Sequence, residues 1–389
     1  MSAAQWRRAM NSGAGRDAWR PAAAAEAVVP GTAATQGEAA RGGEAIAALL
    51  RPIRLRHVVV LAALLAYPWI ASPFFTFQIG GQSLALGLIA LSLTFLGGYG
   101  GMVSLAQMTI ATIAGYMVAI FGTSIDPISL GWPWWLAVGF ALLIAVAFAA
   151  FVGWLSVRTE GIYTIMITLA VGVAFYYLTL QNYSLFAGHR GFNQVNAPTI
   201  LGVNLREPTP FYYLALACAL AGYFFVRYLI RAPFGIALQG VRDNPRRMST
   251  LGFHVTGHRV AAYAVAGLLA AVGGVLMLWY NNQISPESGG LARMIDILVI
   301  AVLGGMRHPI GAFAGAVVFV LLQNFAIDLF DRERFNLVIG AVFLLIVLFS
   351  PDGLLGLWGH LRARLPAGDV KSRMRSGAFD ERHGRRSTS

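Results

Sequence analysis

Long apolar runs separated by short polar joints occupy most of the chain. Runs of about 18 or more apolar residues are long enough to cross a bilayer as helices. The run 137–152 is apolar without the alternation of apolar and polar positions that marks the strands of an outer-membrane barrel. The pattern predicts an all-α integral membrane protein with about ten transmembrane helices, some of them short or broken. The ten apolar segments are 57–76, 81–97, 102–121, 132–156, 162–180, 211–230, 258–280, 294–305, 309–327 and 336–350.

Basic residues near the segment ends predict the topology, because cytoplasmic joints are enriched in Arg and Lys. Three arginines precede the first segment and place the N-terminus inside: Arg51, Arg54 and Arg56. Alternation then places the 231–257 loop inside and the 122–131 joint outside. A basic C-terminal tail that is also inside requires an even number of crossings. We therefore expect ten, and nine would leave that tail outside.

The eighth segment, 294–305, is the shortest of the ten. As a helix its twelve residues would span about 18 Å, less than the ~30 Å of a hydrocarbon core. Taken alone, it would be a half-helix buried by its neighbours. The even number of crossings requires that it cross by itself or act as one crossing together with its flanks.

Charge is sparse and is concentrated at the two ends of the chain. Only 12% of the residues are charged, about half the usual share for a soluble domain. Of the net charge of +12, residues 1–56 carry +4 and residues 360–389 carry +5. We predict a disordered cytoplasmic extension over 1–56, a transmembrane domain over 57–358 and a disordered basic cytoplasmic tail over 359–389. No basic stripe with interleaved aromatic residues is present, so nucleic-acid binding is not expected.

Residues that carry enzyme chemistry are also few. A single cysteine, Cys218, excludes an intrachain disulfide and a Cys-based zinc site. A single lysine, Lys371, lies in the polar tail, whereas a Walker A loop needs a lysine after its glycine-rich turn. No Ser/His/Asp arrangement and no HExxH motif occur. We expect no catalytic site, no metal site and no bound cofactor; if ATP drives the protein, another chain binds it.

A glycine-rich cluster after the second segment is the first candidate for function. Four glycines within five residues break or bend a helix and let neighbouring backbones approach closely. Ser104 and Gln107 are three residues apart and are expected to share a helix face. That face would line an aqueous path, or the cluster would be a tight turn whose Ser and Gln bond across helices. The path candidates in this cluster are Gly97, Gly98, Gly100, Gly101, Ser104 and Gln107.

The 231–257 loop, the longest polar joint on the inside, is the second candidate. Asn244 followed by Pro245 predicts a helix cap and a first helical residue. Met248 and Leu251 then lie on one face, and Gly252 ends the helix. A short surface helix with an apolar edge suits docking to a partner; a basic loop resting on anionic lipid is the alternative. The residues assigned to this element are Gly240, Arg242, Asp243, Asn244, Pro245, Arg246, Arg247, Met248, Leu251 and Gly252.

An acidic residue within a thin apolar segment is the third candidate. Asp296 follows the outside joint 281–287, and an acid at membrane depth is costly and functional by default. Arg293 lies three residues earlier, where it is placed to pair with Asp296 near the interface. Both interpretations fit the sequence, and Asp296 is a further candidate for the path.

These clusters, in their order and spacing over about residues 60–358, resemble one known family. The pieces that carry the resemblance are Gly97–Gln107, Arg158–Tyr163, Thr168–Ala170, Gly188–Gly191, Arg242–Gly252, Ile284–Ser288, Val302–Gly305, His308–Gly311 and Leu348–Gly356. Together they are similar to the M-type permease subunit of the high-affinity branched-chain amino-acid ABC importers. The resemblance implies a type II ABC-importer-like permease domain over 57–358, in a bacterial inner membrane, with both termini cytoplasmic.

The resemblance also implies partners. Members of the family form half of a translocation path for branched-chain or related neutral amino acids. They pair with a second related permease, two cytoplasmic ATPase subunits that bind the ATP, and an extracytoplasmic solute-binding protein. The 231–257 loop would be the element that couples the permease to an ATPase. It departs from the family pattern at Arg247 and Met248, where alanines are usual.

Two alternatives stay open at this stage. A related permease for urea or short amides would look very similar in sequence. A stand-alone secondary transporter or channel usually places ionisable groups at mid-membrane, and Asp296 is the one candidate for such a group.

Overall fold

A computed structural model describes residues 55–123, 128–159, 161–195, 197–200 and 202–329, together with Gly340, Leu344, Gly353, Leu354 and Gly356. The predicted extension up to residue 54 and the predicted tail over 359–389 lie outside the described residues. The chain divides after Leu64 into two units, and every contact given below lies within the second, Leu65–Ser389.

Helices make up most of the described structure. The helices are α1 (Leu55–Ile70), α2 (Gln82–Thr94), α3 (Gln107–Phe121), α4 (Trp134–Ser156), α5 (Ile162–Gln181), α6 (Tyr183–Phe186), α7 (Pro208–Arg231), α8 (Pro233–Asp243), α9 (Pro245–Thr250), α10 (Val255–Asn281), α11 (Leu291–Gly304) and α12 (Pro309–Leu329). Two π-helical turns, Phe75–Gly81 and Phe95–Tyr99, extend α2 at both ends into one helix over Phe75–Tyr99.

Short irregular pieces connect these helices. Single 3₁₀ turns lie at Gly188–Arg190 and Pro286–Gly289. Four strands of two residues each are β1 (Phe192–Asn193), β2 (Thr199–Ile200), β3 (Val203–Asn204) and β4 (Gln283–Ile284). Strand β1 pairs antiparallel with β4, and β2 pairs antiparallel with β3. The β1–β4 pair brings two joints together that are far apart in the sequence.

Small residues let the central helices pack closely. Helix α10 packs against α2, α3 and α4, and α2 also packs against α12. On α4, fully buried alanines recur every four residues and form one stripe: Ala137, Ala141, Ala145 and Ala149. A Cβ added at Gly267 of α10 would collide with the Ala149 side chain. Close approach of backbones through small residues is typical of membrane helix pairs.

The opposite face of α4 exposes large apolar side chains. Phe140, Leu143, Phe151 and Trp154 are all exposed there. In water such a surface would be unfavourable, whereas in a bilayer it contacts lipid tails. The burial pattern therefore agrees with a helix that is buried on one side and meets lipid on the other.

Nine of the ten predicted apolar segments coincide with helices among the described residues, and 336–350 falls almost wholly outside them. By length and composition five helices can cross a membrane: Phe75–Tyr99, Trp134–Ser156, Ile162–Gln181, Pro208–Arg231 and Val255–Asn281. The number is six if Leu291–Gly304 and Pro309–Phe325, bent by 118°, form one span. The all-α membrane fold is confirmed, and ten helices is an approximate number.

Contacts at the two ends of the Phe75–Tyr99 helix define two sides of the unit Leu65–Ser389. The Tyr99 hydroxyl donates to the Arg307 carbonyl at 3.0 Å, in the turn between α11 and α12. At the other end of the same helix, Phe77 stacks on Tyr280, the penultimate residue of α10, with ring centroids 4.9 Å apart. A helix rises 1.5 Å per residue, so Phe77 and Tyr99 are separated by about 30 Å. We call these the Tyr99 side and the Tyr280 side.

Candidate functional site

The glycine-rich cluster forms a break between two helices, as the sequence predicts. The π turn Phe95–Tyr99 ends the first helix, and Gly101 follows with a φ of +68°, a conformation that favours glycine. Helix α3 begins only at Gln107. Ser104 therefore lies in non-helical chain before α3, and the prediction that it shares a helix face with Gln107 is wrong. The left-handed turn at Gly101 interrupts the helical period that the prediction assumed.

The polar side chains of this break are buried and bond across helices. Gln107 is 1% exposed, and its Oε1 accepts a hydrogen bond from Ser92 Oγ at 3.0 Å. Its Nε2 has no hydrogen-bond partner among the described residues. Thr168 Oγ1 of α5 accepts from the Leu105 backbone amide at 3.2 Å. These contacts favour a tight turn over an open aqueous face in this conformation.

Arg242 joins the glycine-rich break to the 231–257 loop. It lies in the last turn of α8, and its Nη1 donates to the Gly98 carbonyl at 2.6 Å. Its aliphatic stem lies against Gly101, where an added Cβ would collide with the Arg242 Cγ. Its Nη2 is 2.9 Å from the Asp243 carboxylate. We call the contact of Arg242 with Gly98 and Gly101 the arginine clasp. It unites two of the predicted clusters on the Tyr99 side.

The short helix α9 begins as the sequence predicts. The Asn244 side chain accepts a hydrogen bond from the Arg247 amide at 3.0 Å, and Pro245 is the first helical residue. The helix ends at Thr250, and Gly252 follows with a φ of +89°. Asparagine caps and proline starts depend on neighbouring residues only, which is why the sequence predicts them well.

The apolar edge of α9 is narrower than predicted. Met248 is half-buried and packs against Gly240, where an added Cβ would lie 2.8 Å from its sulfur. Leu251 is 65% exposed, and none of the residues of α9 itself is buried. Of the two residues predicted to form the apolar edge, Leu251 is therefore the exposed one.

His254 caps a helix, although the sequence does not predict this role. His254 precedes α10, and its Nδ1 accepts a hydrogen bond from the Gly257 amide at 2.9 Å. Histidine is not among the residues that usually cap helices, so the sequence contains no signal for this role.

Asp296 forms the ion pair that its spacing allows. Its Oδ2 lies 3.5 Å from Arg293 Nη1, on the first turns of α11. The paired arrangement accounts for an acid in this segment without a role in ion binding. Within the described ranges, no group of three His, Cys, Asp or Glu side chains is placed to hold a metal ion.

A family profile described as "Branched-chain amino acid transport system / permease component" matches residues 75–347, more than half of the chain. LivM of Salmonella typhimurium, a "High-affinity branched-chain amino acid transport system permease protein", is 26% identical over 314 residues, 74% of this chain and 70% of LivM.

Other relatives carry related names. LivH of Escherichia coli strain K12 is 25% identical over 288 residues, covering 69% of this chain and 90% of LivH. The "Nucleoside ABC transporter permease protein NupC" of Lactococcus lactis is 25% identical over 269 residues, 65% of this chain and 83% of NupC. No solved structure matches the chain. The extent of the profile match shows that this multi-pass membrane protein belongs to the family of permease components of branched-chain amino-acid transport systems.

Proposed function

We propose that the chain forms one half of the translocation path of an ABC importer for branched-chain or related neutral amino acids. A second related permease supplies the other half, and two cytoplasmic ATPase subunits bind and hydrolyse the ATP. A solute-binding protein outside the membrane delivers the solute. Both termini are cytoplasmic, so the Tyr99 side faces the cytoplasm.

The arginine clasp is the observation that carries this proposal. Helices α8 and α9 form the coupling element, and Leu251 beside α9 is free to enter a cleft on an ATPase. Closure of the ATPase dimer would move this helix pair as a rigid lever, and the 2.6 Å bond from Arg242 to Gly98 would pass the movement to the Phe75–Tyr99 helix. The glycine-rich break is where that helix can change its angle to α3.

The absence of a Walker A lysine in the printed sequence supports a separate source of ATP hydrolysis. The single lysine, at position 371, follows no glycine-rich turn of the GxxxxGK[ST] type. The chain is therefore expected to depend on the ATPase that it binds.

The variant Leu251→Glu tests the docking role. Burial of a leucine side chain contributes about 1.5–3 kcal/mol, so a charge at this position should weaken ATPase binding by tenfold or more. The measurement is recovery of the ATPase and of the second permease when the tagged chain is purified in mild detergent. Leu130→Glu, at a residue 53% exposed in the 122–131 joint, is the matched control and should keep the ATPase.

Two results would contradict the proposal. An ATPase that stays bound to Leu251→Glu would remove the docking role from this element. An unaltered chain that purifies alone, from membranes in which other ABC complexes survive, would favour a stand-alone transporter.

The NupC match makes nucleosides a second candidate solute class. Competition separates the classes: unlabelled L-valine should block uptake of labelled L-leucine, whereas uridine, urea and acetamide should not. Block by uridine would transfer the proposal to nucleosides, and block by urea or acetamide would transfer it to short amides.

A further inference from the structure

A groove on the Tyr280 side carries charges that the proposed coupling mechanism does not use. It lies between the second half of α5 and the first turn of α11 and has a volume of about 430 Å³. Tyr176, Tyr177 and Leu291 contribute to its walls, together with Glu287 and Arg293. Sites for small molecules are clefts of roughly 300–1,000 Å³, mostly apolar, with a few convergent polar groups. The groove has this size and this composition.

The two charged side chains in the groove are available to a ligand. Glu287 is exposed and has no ion-pair partner among the described residues. The Arg293 side chain is 49% exposed, and its one ion pair with a described residue, Asp296, is long at 3.5 Å. A guanidinium has five N–H donors, so most of them remain free for an anion. A carboxylate and a guanidinium thus line one groove.

The start of α11 adds to the positive character near Arg293. Gly290 precedes the helix and provides no side chain to cap its first amide groups. Free amide groups and the helix dipole favour a negative group at this position. Glu287, in the 3₁₀ turn before the helix, supplies the opposite charge.

We propose that this groove binds the zwitterionic backbone of an α-amino acid with an apolar side chain. Glu287 holds the ammonium group, Arg293 holds the carboxylate, and the two tyrosines with Leu291 contact the side chain. The inference rests on the proposed function in one respect: the bound amino acid is the transported solute. It locates an entrance site on the chain itself, with a charge pattern that neither a nucleoside nor urea matches.

Cysteine protection tests the site without ATP. The background variant Cys218→Ser removes the single natural thiol. Ala292→Cys then places a thiol at a residue that lines the groove, and Leu130→Cys places one at an exposed residue outside it. The complex with its partner subunits is reconstituted in lipid nanodiscs without the solute-binding protein. Labelling by a charged thiol reagent is measured with L-leucine, L-leucinamide or 4-methylpentanoate present.

L-leucine should slow labelling at position 292 and leave labelling at position 130 unchanged. Leucinamide lacks the carboxylate and 4-methylpentanoate lacks the ammonium group, so each should need about tenfold or more higher concentration for the same protection. Glu287→Gln should remove the preference for leucine over 4-methylpentanoate. Arg293→Gln should remove the preference over leucinamide, and Arg293→Lys should keep part of it.

Three results would overturn the inference. They are equal protection by all three compounds, no protection at the solubility limit of leucine, and unchanged preferences in Glu287→Gln and Arg293→Gln complexes that assemble normally. The comparison of the three compounds needs only the Ala292→Cys protein with Glu287 and Arg293 intact, so it decides the matter even if a variant at either charged residue fails to assemble. None of these results affects ATPase recovery, which tests the proposed function separately.

Discussion

The Arg242 guanidinium donates a hydrogen bond to the Gly98 carbonyl, and the aliphatic stem of the same side chain fills the space beside Gly101. The hydrogen bond therefore requires a glycine at position 101. A larger residue at position 101 would displace the arginine stem, and the φ of +68° there would strain any other side chain. The sequence indicates both clusters, yet it contains no sign of their contact, because Arg242 and Gly98 lie 144 positions apart. Long-range pairing of this kind comes only from the packing of α8 against the end of the Phe75–Tyr99 helix.

The variant Arg242→Gln should uncouple transport from ATP hydrolysis. A hydrogen bond to a charged group contributes about 1.5–3 kcal/mol, and its loss should lower ATP-driven leucine uptake about tenfold or more. ATPase recovery and ATP hydrolysis should change little, because the exposed Leu251 side chain is untouched. Arg231→Gln, at an exposed residue that ends α7 and lies outside α8 and α9, is the matched control and should transport normally. Equal loss of uptake in both variants would show that charge on the loop matters and that the clasp does not.

The sequence predicts the presence of the helices more accurately than it predicts their first and last residues. The segments 132–156 and 162–180 match α4 and α5 within two residues, because long apolar runs leave few alternatives in a membrane. The segment 102–121 begins five residues too early, because the turn at Gly101 delays the start of α3 until Gln107. The sequence places Glu287 at the end of the 281–287 joint, shortly before Asp296. The groove also requires α5, whose tyrosines lie more than 100 positions away in the sequence.

Close packing between α10 and α3 gives a prediction at the scale of elements. A Cβ added at Gly274 would collide with the backbone of Ala111 in α3. Overpacking of this kind costs about 1–3 kcal/mol, so Gly274→Ala should lower the temperature at which the detergent-solubilised complex loses its assembled form. Gly139→Ala in α4 is the matched control, because nothing lies within 4 Å of the added Cβ. That variant should be neutral or slightly stabilising, since alanine favours a helix over glycine by up to about 1 kcal/mol. Equal thermal stability of the two variants would contradict the packing of α10 on α3.

Within the unit Leu65–Ser389, the 231–257 loop and the joint after α10 lie at opposite ends of the Phe75–Tyr99 helix. On the Tyr99 side, Arg242 of the 231–257 loop donates a hydrogen bond to the Gly98 carbonyl. On the Tyr280 side, the Val195 amide donates to the Asn282 carbonyl at 3.1 Å. The chain turns through 118° between α11 and α12, so α12 leads partly back from the side on which α11 ends. If α1, α3, α11 and α12 count as crossings beside the five long helices, these nine helices and the segment 336–350 together make ten.

The position of the C-terminus decides between ten crossings and nine. With α11 as a crossing, a reporter fused after Ser389 should lie in the cytoplasm, and one fused after Gly252 should lie there too. A reporter fused after Gly131 should be exported, because three crossings lie between a cytoplasmic N-terminus and that joint: α1, the Phe75–Tyr99 helix and α3. The measurement is the activity of alkaline phosphatase, which folds only outside the cytoplasm, paired with a fluorescent protein that reports the inside. An exported reporter after Ser389, with the other two as expected, would mean that α11 and α12 form one bent span. The groove on the Tyr280 side would then lie at the start of this bent span, and Arg293 and Asp296 would remain at the outer surface in either arrangement.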